Sequence, residues 1–277
     1  MNYIRLHIRF PEDIQELIIA ELVDYDFEGF EQERDLLVAS IPQQRFDDVK
    51  REEIERLILS YEGGLILNEE LVEPQNWNKN WEESIQPQYI GDFIVHPTWS
   101  TADVPEGAME ILIDPKMTFG TGYHATTRLI LAWLPELIQE SQTVLDAGTG
   151  TGILSIAAIK LGATSAFGFD IDDWSKINAE ENAVLNNVTD ECEFELGSIE
   201  TIPEQTTYDV VLGNINRNAL IELLPELIAR VRKGGDLIIS GLLEQDDEDI
   251  LALEALSGAT HKETRQEGEW IAMWFKL

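Results

Sequence analysis

Cysteine is almost absent from this chain, with Cys192 its single example. An intrachain disulfide is therefore impossible and a cysteine-based metal cluster is excluded, which suits a reducing compartment. Only four histidines occur, His7, His96, His124 and His261, and none stands in a metal-binding spacing such as H-E-x-x-H. Long hydrophobic runs are missing as well: no stretch approaches the roughly 20 apolar residues that a membrane-spanning helix requires. The start, Met1 to Phe10, alternates polar and apolar residues as a strand does and lacks the continuous apolar core of a signal peptide. These absences predict a cytoplasmic protein.

Positive charge is the other scarcity. The chain has 19 lysines and arginines against 53 aspartates and glutamates, a net charge of -34. Such a field repels phosphate backbones and argues against direct nucleic-acid binding. Two uses of the excess stay open: steering a basic protein partner, or keeping the surface soluble.

At 277 residues, of which 44% are hydrophobic, the chain is long enough for two domains with ample core. Residues 1–72 read as a small α+β module. Tyr3 to Arg9 is a strand by alternation, and Pro11 to Tyr25 carries Ile14, Leu17, Ile18, Leu22 and Tyr25 on one helical face. Phe27 to Glu33 and Leu36 to Ile41 pair around Arg34-Asp35. Phe46, Val49, Ile54, Leu57 and Ile58 mark a second helix that stops near Gly63-Gly64, and Leu65 to Val72 is the last strand. The order βαββαβ is that of a ferredoxin-like module. Over residues 73–91 the periodicity lapses into a linker containing Trp77 and Trp81, four residues apart and suited to one face of a short packed helix.

Residues 92–277 alternate strand and helix signals, the mark of a doubly wound α/β sheet. Strands are expected at Thr143 to Asp146, Ser165 to Asp170, Cys192 to Leu196, Tyr208 to Asn214 and Asp236 to Ser240, with helices ending at Gly162 and at Gly234-Gly235. His261 to Arg265 and Trp270 to Leu277 flank Gln266-Glu267-Gly268-Glu269 as a terminal hairpin.

The first chemical signal joins a strand to a helix through Asp146-Ala147-Gly148-Thr149-Gly150-Thr151-Gly152. Glycines at such a turn let a ligand approach the backbone, and an acidic residue some 20 positions on, here Asp170, suits a ribose diol. This is a nucleoside-cofactor pattern. A dinucleotide fold wants G-x-G-x-x-G, whereas Ile153 stands where the third glycine belongs. The spacing instead resembles the first motif of class I S-adenosylmethionine-dependent methyltransferases.

Two further strings surround this loop. Met117-Thr118-Phe119-Gly120-Thr121-Gly122-Tyr123-His124-Ala125-Thr126-Thr127 leads into an apolar helix, and its threonines suit either a helix cap or a cofactor contact. Tyr208 to Asn214 ends at an Asn-rich turn, and ligands of doubly wound sheets gather at the carboxyl ends of strands, which puts Asn214 beside Gly148 and Asp170. An asparagine amide both donates and accepts, as an amino-acid moiety or an amine substrate needs.

Together these residues resemble the ribosomal protein L11 methyltransferase family. The resemblance rests on Phe119-Gly120-Thr121-Gly122-x-His124-x-Thr126-Thr127, on Leu145-Asp146-x-Gly148-x-Gly150-x-Gly152-Ile153-Leu154, on Asp170-Ile171-Asp172, on Asn182-Ala183 with Asn186, and on Asn214-Ile215. Trp77, Trp81, Pro87 and Gly91 are similar to its interdomain segment. It implies a Rossmann-like class I domain, a mostly parallel seven-stranded sheet with a terminal antiparallel hairpin, behind a ferredoxin-like substrate-recognition domain. It also implies S-adenosylmethionine as cofactor, with Thr127, Gly148, Asp170 and Asn214 as its contacts and Phe119 and Gly150 beside them. Asp170 would take the ribose hydroxyls and Gly148 the loop backbone, with Thr127 and Asn214 towards the methionine part. The implied partner is ribosomal protein L11, methylated on lysine and α-amino nitrogens. Two departures stand out: Asn216-Arg217-Asn218 after Asn214-Ile215 where many members carry small apolar residues, and Gly197-Ser198 where related enzymes often have Gly-Asp for the adenine. Glutamine-directed relatives carry Asn-Pro-Pro-Tyr where this chain has Asn214-Ile215-Asn216-Arg217, which argues against that substrate.

Overall fold

The computed structural model describes residues 2–72, 85–116, 118–253, 256 and 258–277. The chain divides into two compact units, Met1–Asn80 and Trp81–Leu277. Trp77, Trp81 and Met117 lie outside the described residues, and so does the short helix expected around the two tryptophans.

In the first unit the order is β1 (Tyr3–Arg9), α1 (Glu12–Asp24), β2 (Phe30–Glu33), β3 (Leu36–Pro42), α2 (Asp48–Ser60) and β4 (Leu65–Val72). The strands lie β2-β3-β1-β4, every neighbouring pair antiparallel. This is the expected ferredoxin-like module. Alternation along β1 sends Ile4, Leu6 and Ile8 into one apolar cluster with Ile18 and Leu22 of α1 and Ile54 and Ile58 of α2. Asp47 caps α2 by accepting from the Lys50 N–H at 2.8 Å.

Two expectations here need correction. On α1 Leu17 is 53% exposed, while Gln15 is fully buried. The Gln15 amide donates to the carbonyls of Phe10 and Glu33 at 3.0 and 2.7 Å, so hydrogen bonding rather than apolarity decides that position. Likewise β2 begins at Phe30 rather than Phe27, because Phe27 turns inward with its ring edge-on to Phe46 at 6.1 Å.

The second unit opens with three short strands that the sequence pattern did not announce: β5 (Gln88–Ile90), β6 (Phe93–His96) and β7 (Met109–Leu112). They form their own sheet in that order, β5 antiparallel and β7 parallel to β6. The segment 73–91 thus contains β5. There follow α3 (Ala125–Leu137), β8 (Thr143–Ala147), α4 (Ile153–Lys160), β9 (Ser165–Asp170), α5 (Asp173–Leu185), β10 (Cys192–Leu196), β11 (Tyr208–Asn214), α6 (Arg217–Ala229), β12 (Val231–Leu243), α7 (Asp247–Leu251), β13 (Thr260–Glu267) and β14 (Trp270–Lys276).

Seven of these strands make one sheet in the order β10-β9-β8-β11-β12-β14-β13. All run parallel except β14, which is antiparallel to β12 and β13. Successive strand residues enter opposite apolar clusters. Val144, Val210 and Ile238 pack with α3 and α4 on one face, while Leu145, Val211 and Leu237 pack with α6 on the other. β12 starts five residues earlier than expected. Gly234-Gly235 does not end a helix but lies inside the strand, where Gly234 N–H donates to Leu277 O at 2.6 Å and Leu277 N–H to Gly235 O at 3.1 Å. The glycines let the chain bulge and capture its C-terminal strand.

Candidate active site

Strand order sets the place of the site. From β8 the chain winds outward through β9 and β10, then returns to β11 on the other side of β8, so the switch point lies between β8 and β11. Ligand crevices of open α/β sheets form there, beyond the carboxyl ends. Ala147 is in register with both Phe169 and Gly213, which brings Gly148, Asp170 and Asn214 to adjacent strand ends.

The glycine-rich loop is bound to its surroundings by the backbone. Gly148 and Thr149 N–H both donate to Phe169 O, at 2.9 and 3.0 Å, and Thr151 N–H donates to Phe119 O at 2.9 Å. Gly148 has φ 71°, and a Cβ there would collide with Ile215 Cγ2; Gly150 has φ 54°, and a Cβ there would collide with Phe119 O. Left-handed backbone and close approach both demand glycine. Asp170 takes Gly150 N–H on Oδ2 at 2.9 Å and Asp172 N–H on Oδ1 at 3.1 Å, which fixes its carboxylate at the lip and leaves lone pairs on both oxygens. Beneath the loop, fully buried Asp146 accepts from the Thr149 and Ser155 hydroxyls, both at 2.8 Å on Oδ2, while Oδ1 finds no hydrogen-bond partner within ordinary geometry among the described residues. Burial raises its pKa from 3.8 to about 6 against the pull of these bonds.

Across the loop, His124 rather than a threonine caps α3. Its Nδ1 accepts from Thr126 N–H at 3.4 Å and lies 2.8 Å from Thr126 Oγ1. Burial, then the charge of Arg128, lowers its pKa, so the ring is neutral and Nδ1 is free to accept. With the cap assigned to His124, the hydroxyl of buried Thr127 is left to accept from Asn214 Nδ2 at 3.3 Å.

Phe119, Gly148, Gly150, Asp170 and Asn214 line one cleft of about 240 Å³. Thr127 stands behind Asn214. The remaining lining is Phe169, Ile171, Ser198, Ile215, Asn216, Ala219 and Leu223, none of which the sequence pattern marks as a cofactor contact, although Ile171 and Ile215 stand inside the motif strings. Phe169, Ala219 and Leu223 carry no signal of their own, since they sit in a strand or on α6 outside any motif. Asn216 and Ser198 belong to the two departures from the family pattern. Apolar walls beside one carboxylate and two side-chain amides suit a flat heterocycle, a vicinal diol and an amino-acid head group.

The mostly parallel seven-stranded sheet with its antiparallel last pair, carrying a glycine loop and an acidic strand end at the switch point, defines a class I methyltransferase. Residues 12–277 match the family described as Ribosomal protein L11 methyltransferase (PrmA). The chain is 36% identical over 273 residues to the ribosomal protein L11 methyltransferase of Porphyromonas gingivalis, covering 95% of this chain and 91% of that one. It is 35% identical over 279 residues to that of Chlorobaculum parvum, covering 98% and 95%. Among solved structures, the ribosomal protein L11 methylase of Lactobacillus delbrueckii subsp. bulgaricus superposes with a TM-score of 0.63 at 29% identity, over 69% of this chain and 98% of that one. The chain belongs to the ribosomal protein L11 methyltransferase family. It is an S-adenosylmethionine-dependent methyltransferase, and the donor set of the cleft fits that cofactor.

Proposed function

We propose that this chain transfers methyl groups from S-adenosylmethionine to lysine ε-amino and α-amino nitrogens of ribosomal protein L11, in the cytoplasm. Among the described residues no helix is long and apolar enough to cross a membrane. The observation that carries the reading is the convergence of Asp170, the Gly148–Gly150 backbone and the Asn214–Thr127 pair at the switch point of the sheet. Residues 1–72 hold the protein substrate in this reading, and 73–91 set its approach.

Bound in this cleft, S-adenosylmethionine supplies a methyl group on a sulfonium, electrophilic enough for direct displacement by an uncharged amine. Asp170, which keeps free lone pairs beside its two backbone bonds, would accept from the ribose hydroxyls. The Gly148 and Gly150 backbones line the cleft and would form a wall beside the cofactor, with Phe119 at the rim. Asn214 donates from Nδ2 to Thr127 Oγ1, which orients the amide, and Oδ1 as its acceptor would take an N–H of the amine and orient the amine lone pair. The amine must be unprotonated, and a lysine with an ordinary pKa of about 10.4 meets that condition less readily than an α-amine at about 7.8. Desolvation in the apolar part of the cleft lowers the amine pKa and favours the reactive form without a dedicated base. Orientation and water exclusion supply most of the barrier reduction.

Incubation with isotopically labelled S-adenosylmethionine and the ribosomal proteins, followed by mass spectrometric location of the label, tests the reading. Label is expected on L11 amines, and its absence from L11 overturns the substrate. Asn214→Ala is expected to lower turnover by about 10- to 100-fold through loss of alignment. Unchanged turnover and cofactor affinity remove Asn214 from the role.

A further inference from the structure

The tip of the terminal hairpin reaches the loop that carries Phe119 into the cleft, and it does so by two tracks. In the first, the Arg128 guanidinium donates from Nε to Glu267 Oε1 and Oε2 at 2.9 and 3.1 Å, and from Nη2 to Oε1. Its Nη1 donates to the main-chain carbonyl of Gly122 at 3.3 Å and to that of Tyr123. In the second, Trp270 stands edge-on to the His124 ring at 4.6 Å, and that ring lies 5.2 Å from Phe119. Glu267 and Trp270 face each other across the hairpin turn, so one structural feature feeds both tracks.

The loop needs such external restraint. Gly120 and Gly122 have φ of 104° and 82°, and Phe119 is 52% exposed, so its own packing does not hold it. Its near end is fixed by the glycine-rich loop, where Thr151 donates from N to Phe119 O at 2.9 Å and from Oγ1 to Gly120 O at 2.6 Å. Its far end rests on Arg128. A planar fork that serves a carboxylate and two carbonyls at once is guanidinium chemistry, which a lysine ammonium does not reproduce.

We propose that Arg128 is a positioning residue: anchored by Glu267 of the hairpin, it pins the Gly122 and Tyr123 carbonyls and thereby sets Phe119 at the rim of the cofactor cleft. This rests on the proposed function, since it assigns the cofactor to that cleft. It gives the hairpin tip a part in cofactor binding that no motif in β13 or β14 indicates.

The test uses the full-length chain with Arg128→Lys, Glu267→Gln, Phe119→Ala and the Arg128→Lys/Phe119→Ala double variant. Affinity for S-adenosylmethionine is measured by calorimetry, with kcat, KM and Tm alongside. Arg128→Lys is expected to weaken cofactor affinity by roughly 10-fold and raise the cofactor KM in step, with kcat at saturation nearly kept. Its Tm is expected to fall by less than about 4 °C, as for a partly exposed ion pair. Glu267→Gln shifts affinity in the same direction by a smaller factor. In the Phe119→Ala background Arg128→Lys loses most of its effect, because the two act through one contact. Wild-type affinity in Arg128→Lys, or effects that simply add in the double variant, overturn the proposal. Failure of the unaltered protein to bind S-adenosylmethionine overturns the proposed function itself.

Discussion

Asp146 bears an energetic penalty at the centre of the sheet. It is fully buried, one oxygen accepts two hydroxyls while the other lacks a well-formed hydrogen bond among the described residues, and burial pushes its pKa up from 3.8 to about 6. A carboxyl whose folded pKa is raised binds more protons in the folded state than in the unfolded state, so stability falls as pH climbs from about 4 through about 6. A rise of that size corresponds to about 3 kcal/mol once the group is ionised in both states. Asp146→Asn keeps an oxygen for Thr149 and Ser155 and removes the charge. Relative to the unaltered protein, its stability in urea denaturation is expected to improve from pH 4 to pH 8 by up to about 3 kcal/mol. Stability profiles that run parallel across that range would mean that the buried carboxylate is solvated or paired after all.

Helix α5 does for β7 what a neighbouring strand does elsewhere. Asn178, Asn182 and Asn186 recur every four residues on its buried side. Asn186 exchanges bonds with Leu112, donating to its O at 2.7 Å and accepting from its N at 3.0 Å. Asn182 accepts from Asp114 N at 3.0 Å and donates to Thr151 O in the glycine-rich loop at 2.9 Å. Asn178 donates to Asp114 O at 2.7 Å. Asn182→Ala strips partners from both the Asp114 N–H and the Thr151 carbonyl and is expected to cost about 2 to 4 kcal/mol in urea unfolding. A loss below about 0.5 kcal/mol would show that water replaces the amide. The spacing of these asparagines was visible in the sequence, but their partner was not. β5, β6 and β7 are three or four residues long, too short for alternation to register, and β6 is buried at every position. The strands β8, β9 and β11 were legible for the opposite reason: each is a largely apolar run that meets Gly, Asp or Asn at the point where the site begins, while β10 was legible by its alternation of Glu with apolar residues. Gly148, Asp170 and Asn214 were therefore readable as strand ends. The apolar wall was not: Ile171 and Ile215 stood in the motif strings without a role and Leu223 in none, because such a wall depends on strand order and register.

Across the whole molecule the dominant quantity is the net charge of -34, and its two uses predict different salt dependence. If the acidic surface steers substrate, the methyl-accepting protein, whose target lysines are cations, meets an attractive field before it docks. Screening shortens the reach of that field from a Debye length of about 10 Å at 0.1 M salt to about 3 Å at 1 M. Association then slows while the chemistry inside a desolvated cleft does not. Between about 0.05 and 0.5 M salt, kcat/KM for L11 is accordingly expected to fall by about tenfold or more, with kcat nearly constant. The cofactor KM, set by short contacts such as those of Asp170 and the Gly148 backbone, is expected to change far less over the same range. If the charge serves solubility alone, kcat/KM stays flat and the loss appears as salt-dependent association of the enzyme with itself, measurable by light scattering on the same samples. A parallel fall of kcat and kcat/KM would point instead to charges acting on the reacting amine within the cleft.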